Sequence, residues 1–250
     1  MDYSLYKYAL SVRDQGGYQG ALELFQDLES QAQNPDELVE CLASEAVCLT
    51  WLHRFEEGKQ IIKRAECLHA SGDLAIVQLK LSKASLLARA GEDENALTIL
   101  RNTLEQHKEF LSSPELNFLE QALLQQMVAL LLADNRFEEA RAILIRGIAT
   151  AVEAEDKGKQ MFYLAVCQHH EGEPQAGFKT LEIALSMLNR RSDIVEARYF
   201  LGQFLYNLGE YDRAAAEFRF CIQENKGELS IERLKYMLRA SVESKHLKPM

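Results

Sequence analysis

The chain has 250 residues, 47% of them hydrophobic and 26% charged, which suits one large or two small globular domains. Its net charge of −10 argues against nucleic acid and anionic membrane surfaces, since both are held by clustered Lys and Arg. The longest purely apolar run, residues 127–133 (MVALLLA), falls well short of the roughly 20 residues a membrane span needs.

The opening stretch, MDYSLYKYAL, has no basic leader ahead of an apolar core, so no signal peptide is expected. From there the chain reads as a series of helix–turn–helix units, with only four prolines to interrupt them. One anchor residue just past each turn indexes the series: Tyr18, Phe55, Asp93, Phe137, Pro174 and Tyr211, spaced 37, 38, 44, 37 and 37 residues apart. A repeat of this period predicts a solenoid. Two residues before the anchors stand Gly16, His53, Gly91, Asn135, Gly172 and Gly209. Five of the six are Gly or Asn, which tolerate positive φ and end helices.

Three residues after the anchors come Ala21, Gly58, Ala96, Ala140, Gly177 and Ala214, and nine before come Ala9, Ala46, Ala84, Val128, Ala165 and Gly202. Small residues there let two antiparallel helices approach closely. Seven after come Phe25, Ile62, Leu100, Leu144, Leu181 and Phe218, large apolar residues that fill the gaps. Six before come Val12, Leu49, Leu87, Leu131, Gln168 and Leu205, where Gln168 departs from the pattern. Acids such as Glu56, Glu57, Glu138, Glu139 and Asp212 open the second helices, at the positive end of the helix dipole.

The longest spacing contains EFLSSPELNF. Ser112 or Ser113 ahead of Pro114 and Glu115 reads as a helix start with a serine cap, and as a candidate seam near 111–114. Residues 1–227 thus form six hairpins in one array. Residues 228–250 form a capping helix with a short tail, its stripe of Leu234, Leu238 and Val242 closing the apolar end.

Residues 201–221, LGQFLYNLGEYDRAAAEFRFC, resemble the tetratricopeptide repeat, and the match extends through 9–28 and 128–147 with weaker copies at Asp93 and Pro174. These units exceed the family's 34 residues by three or four, with one longer by ten, so lengthened helices are expected. The resemblance implies an all-α, right-handed superhelical solenoid whose first helices line a concave face that binds peptides or protein segments. By that resemblance the lining gathers Gln125, Phe162, Val166, His169, Tyr199, Gln203, Tyr206 and Asn207, richest toward the C-terminus. Rings there bury apolar side chains while amides satisfy a partner's backbone. An aromatic at helical spacing equally suits a core between repeats, which leaves Phe162 and Tyr199 open to both readings; Trp51 reads as a filler beside a turn or as an anchor. The clamp for carboxylate tails of chaperones is missing: its positions hold Tyr6, Leu10, Ser44, Gln78 and Ser82.

Enzyme motifs are absent, with no phosphate loop, H-E-x-x-H or G-x-S-x-G. His169 and His170 are adjacent and point apart on a helix, which makes a poor metal pair. The five cysteines, Cys41, Cys48, Cys67, Cys167 and Cys221, form no C-x-x-C, so a reducing cytoplasm is expected. The expectation is a non-enzymatic cytoplasmic scaffold or adaptor. It binds a protein or peptide segment without metal, cofactor, nucleic acid or membrane. The alternatives are a peptide-responsive regulator acting through a partner, a self-assembling adaptor, and an α/α-toroid enzyme. Oligomeric state is not legible.

Overall fold

The computed structural model describes residues 1–225 and 229–247, with side chains given as far as Ser244. The expected boundary at 227/228 and the tail 248–250 lie outside the described residues. All regular structure among them is helical. Two compact units, Met1–Leu130 and Leu131–Met250, divide the chain.

The first unit holds α1 (Tyr3–Asp14), α2 (Tyr18–Glu29), α3 (Pro35–Trp51), α4 (Phe55–Glu66), α5 (Asp73–Arg89), α6 (Asp93–Gln106) and the short α7 (Lys108–Leu111). A 3₁₀ turn, Pro114–Leu116, leads into α8 (Asn117–Ala133), whose last residues pass into the second unit. That unit continues with α9 (Phe137–Thr150), α10 (Ala154–His170), α11 (Pro174–Met187), α12 (Arg191–Asn207), α13 (Tyr211–Glu224) and α14 (Ile231–Leu247). Each anchor is the first residue of a second helix. After α1, every first helix is 17 residues long.

The turn explains the anchor spacing. In all six hairpins the residue two before the anchor has positive φ, from 57° at Asn135 to 87° at Gly16. The next backbone N–H reaches back five residues: Gly17 to Val12, Arg54 to Leu49, Glu92 to Leu87, Arg136 to Leu131, Glu173 to Gln168 and Glu210 to Leu205, all at 2.8–2.9 Å. This is the Schellman closure, which satisfies carbonyls that a helix end would orphan. Gln168 serves it as well as leucine does, because only its backbone is used. His53 adopts φ 59° without being Gly or Asn, and its left-handed backbone is strained. His53→Gly should therefore stabilise the first unit by about 0.5–1 kcal/mol in urea unfolding, after the lost edge contact with Phe55 is allowed for. No gain would contradict this role for the turn.

Packing follows the small-residue slots. Ala9, Ala21, Ala46, Ala84, Ala96, Ala140, Ala165 and Ala214 are fully buried. A Cβ on Gly58 would lie 2.5 Å from Leu86, one on Gly177 2.8 Å from the Ala165 carbonyl oxygen, and one on Gly202 2.7 Å from the Phe218 ring. The large slots Phe25, Ile62, Leu100, Leu144, Leu181 and Phe218 are buried, each worth about 1.5–3 kcal/mol in water-excluded area. In the first unit α3 packs on α2, α4 and α5; in the second α12 packs on α10, α11 and α13, and α14 on α13.

Second helices begin without side-chain caps. Their leading acids instead pair with nearby arginines, as in Arg54–Glu57 (2.6 Å), Arg136–Glu139 (2.6 Å) and Arg213–Glu210 (2.6 Å). Ser113 likewise makes no backbone cap; its hydroxyl donates to the Glu115 carboxylate. The 44-residue spacing is filled by α7 and the 3₁₀ turn, all within the first unit. Among the described residues one stretch, Pro114–Ala133, has the length (20 residues) and hydropathy (1.3) of a membrane span, and 56% of it is buried inside the protein. A helix that is apolar all round and mostly buried is a core helix.

Candidate functional site

Of the eight lining candidates, Gln125 lies half-buried on α8 in the first unit. The other seven lie on α10 and α12 in the second. There the first helices touch one another directly. Phe162 of α10 meets Phe200 of α12 edge-on at 5.4 Å. Lys159 pairs with Asp193 at 3.3 Å. Asn207 Nδ2 lies 3.0 Å from His169 Nε2, and the His169 ring stacks on Phe204 at 4.3 Å. From α12 to α14, Tyr206 and Ser244 share a hydroxyl hydrogen bond of 3.1 Å, and the Arg233 guanidinium stands 5.3 Å over the Tyr199 ring.

These contacts sort the candidates. Phe162 (2% exposed), Val166 (6%) and Tyr199 (4%) are core residues. Tyr199 packs on Phe218 at 6.0 Å and Phe200 at 5.7 Å. Their periodicity matched both readings because the slot that lines the face also meets the neighbouring first helix. Gln203, Tyr206 and His169 are half-buried and Asn207 is exposed. Gln203 donates through Nε2 to the Tyr199 hydroxyl (3.1 Å), and its Oε1 accepts from no described residue. One turn further along α12, Asn207 is held through its Nδ2 contact, and its Oδ1 likewise meets no described donor.

Electrostatics sharpen this face. Burial, and then Asp193, hold the Glu196 carboxyl above the usual carboxylate range. Burial, then His170, lowers the His169 imidazole, which favours its neutral form. Neutral His169 suits a contact with an amide better than a cation does. The sequence places Lys159 among the lining slots, but its partner Asp193, and Arg233 and Ser244, were missed as parts of this surface. The signal lay in reading α14 as another first helix, which brings Arg233 and Ser244 beside α12.

Two other features invite chemistry and carry little. An open depression of about 830 Å³ is lined by Arg136, Phe137, Arg141, Glu171 and Glu173, but its charges answer one another, Arg141 reaching Glu171 at 2.6 Å. The thiols of Cys41, Cys48, Cys167 and Cys221 are buried, and burial pushes each up to about 11 or 12, so they are not nucleophiles near neutral pH. Trp51 resolves as a stack: its ring lies parallel to Tyr18 at 5.3 Å under the Arg89 guanidinium at 3.6 Å, with 45% of the residue exposed.

No family model and no curated protein matches the chain. Solved structures do. The chain is similar to BtubC (BKLC) from P. vanneervenii, with a TM-score of 0.64 and 16% identity over 95% of this chain and 94% of that one. It is similar to the apo form of the quorum sensor NprR from B. thuringiensis, with a TM-score of 0.67 and 13% identity over 98% of this chain and 70% of that one. A third likeness is to TTC0263, a thermophilic TPR protein of Thermus thermophilus, with a TM-score of 0.55 and 13% identity over 82% of this chain and 98% of that one. The chain therefore has the all-α helical-repeat fold of tetratricopeptide-repeat proteins.

Proposed function

We propose that this tetratricopeptide-type array is a non-catalytic scaffold that holds a protein or peptide segment on the face formed by α10, α12 and α14. The observation that carries the reading is the pair of amides on α12. Gln203 and Asn207 are each fixed through nitrogen, and each leaves a carbonyl oxygen open one helical turn apart. Fixed acceptors at that spacing suit the N–H groups of a bound segment, at no further ordering cost. The half-buried Tyr206 ring, braced by Ser244, borders the same strip. A cytoplasmic setting, where five free thiols stay reduced, belongs to the same reading.

The test is the double variant Gln203→Ala with Asn207→Ala. Stability should fall by about 1–2 kcal/mol, the worth of the hydrogen bonds to Tyr199 and His169 that the variant gives up, with the chain still folded. Partner recovered by affinity capture should fall at least tenfold. Undiminished capture of the same partner contradicts the assignment. A second reading, a ligand-responsive regulator, draws on the likeness to a quorum sensor; a scattering radius unchanged by every bound segment would remove it.

A further inference from the structure

Glu40 of α3 is 7% exposed, yet no described residue reaches its carboxylate with a hydrogen bond or an ion pair. Burial, then the charges of Glu37 and Asp36, hold that carboxyl above the usual carboxylate range. Those two neighbours are themselves engaged. Asp36 accepts from the backbone N–H groups of Ser71 (2.8 Å) and Gly72 (3.0 Å), and Glu37 pairs with the Met1 amino group at 2.8 Å. A carboxylate taken out of water is costly unless a cation or donors answer it, and nothing in the fold answers Glu40.

The helices packed beside it add oxygens and no counter-charge. On α1, burial and then Glu40 raise the Tyr3 hydroxyl, and Tyr6 shares a 3.2 Å hydroxyl hydrogen bond with Ser44, one turn along α3 from Glu40. Arg13 of α1 pairs with Asp14 at 2.8 Å, and the exposed Lys7 makes no ion pair with Glu40. On α5, which packs on α3, Gln78 and Ser82 follow Glu40 and Ser44 by 38 residues, the interval between the anchors Phe55 and Asp93. They therefore hold the same places one helix over. Ser82 is 5% exposed, and neither its hydroxyl nor the half-buried Gln78 amide bonds to a described residue. Gln78 Oε1 is closed off from solvent as well. The lysines of α5 turn elsewhere: Lys80 and Lys83 reach Glu66 of α4 at 3.9 and 2.7 Å.

We infer that Glu40, Gln78 and Ser82 form a subsite for a positively charged N–H donor, supplied by a lysine or arginine side chain of a protein segment. The carboxylate answers the charge through charge-assisted hydrogen bonds. The Gln78 carbonyl and the Ser82 hydroxyl accept further N–H groups. All three residues belong to the first unit, so the inference does not rest on the face proposed in the second.

The probes are acetylated, amidated pentapeptides Gly-Ala-X-Ala-Gly, with lysine, arginine or norleucine at X. Each is titrated into the full chain and read by nuclear magnetic resonance from the Ala43 methyl signal, one turn from Glu40 and 1% exposed. The lysine or the arginine peptide should give a saturable shift, at a concentration at least tenfold below that for norleucine. Glu40→Gln should weaken that binding at least tenfold, and Ser82→Ala about threefold. Both variants should melt at or above the parent temperature, because each removes a buried group that has no partner. The Gln203→Ala, Asn207→Ala double variant should leave the shift unchanged, which separates this subsite from the segment-binding face. Butylamine separates the sources: a need for far more butylamine than peptide to compete supports a protein segment, and competition at the peptide's own concentration would assign the cation to a free amine instead. No saturable shift with either charged peptide, or equal affinity in a folded Glu40→Gln chain, overturns the proposal. So does a Glu40→Gln chain that melts well below the parent, which would show the carboxylate to be answered within the fold.

Discussion

Tyr199→Ala is expected to destabilise the second unit by about 3–5 kcal/mol, seen as a lower urea midpoint. The ring is 4% exposed and lies among Phe200, Phe218 and the Arg233 guanidinium. Truncation leaves a cavity that the 17-residue helices around it cannot close without losing their register. Tyr199→Phe keeps the ring and removes only the hydroxyl that accepts from Gln203, so it should cost about 1 kcal/mol. A Tyr199→Ala chain as stable as the parent would show the ring to be a groove residue. With the loss expected here, binding defects of the alanine variant report unfolding, and the phenylalanine variant becomes the informative one.

The second large effect is a pH dependence in the first unit. Glu45 of α3 is 1% exposed. Burial first, then the Glu29 carboxylate, push its carboxyl up to about 7, while Arg64 works the other way. Arg64 is itself engaged with Glu29 by two donors, one at 3.0 Å. The folded chain therefore keeps a proton on Glu45 that the unfolded chain releases above its ordinary value near 4.5. Between those two values the native state binds more protons, so stability falls as pH rises and levels off above about 7. The full difference corresponds to about 3 kcal/mol; screening by Arg64 and solvent brings the expected fall to about 2 kcal/mol. Glu45→Gln keeps the shape and a donor toward Glu29. It should flatten the slope between about pH 5 and 8 and gain about 2 kcal/mol at the upper end. An identical slope in parent and variant would contradict this.

Much of the fold was legible because backbone closure repeats. The six anchors mark the first residues of α2, α4, α6, α9, α11 and α13, since a Schellman turn fixes the count from a left-handed residue to the next helix. His53 shows where composition ran out: the backbone requires the conformation whether or not the residue favours it. The small slots were legible for a related reason, as the contacts at Gly58, Gly177 and Gly202 leave no room for a Cβ. The short α7 and its 3₁₀ turn had no such periodic signal. The site was less legible. Phe162 and Tyr199 occupy slots that face both a neighbour and the lining, so only their packing in the folded chain assigns them. Glu45 carried no mark in sequence, because its chemistry comes from Glu29 and Arg64 on other helices.

A partner held as proposed touches the chain on α12 and not on α11. An aromatic photo-crosslinking residue placed at Tyr206 on α12, which leaves both amides in place, and in a separate variant at Ile183, which is 49% exposed on α11, tests that directly. The scaffold reading predicts a partner adduct from position 206 that the unlabelled segment competes away, and none from 183. A competed adduct from 183 with none from 206 would contradict it.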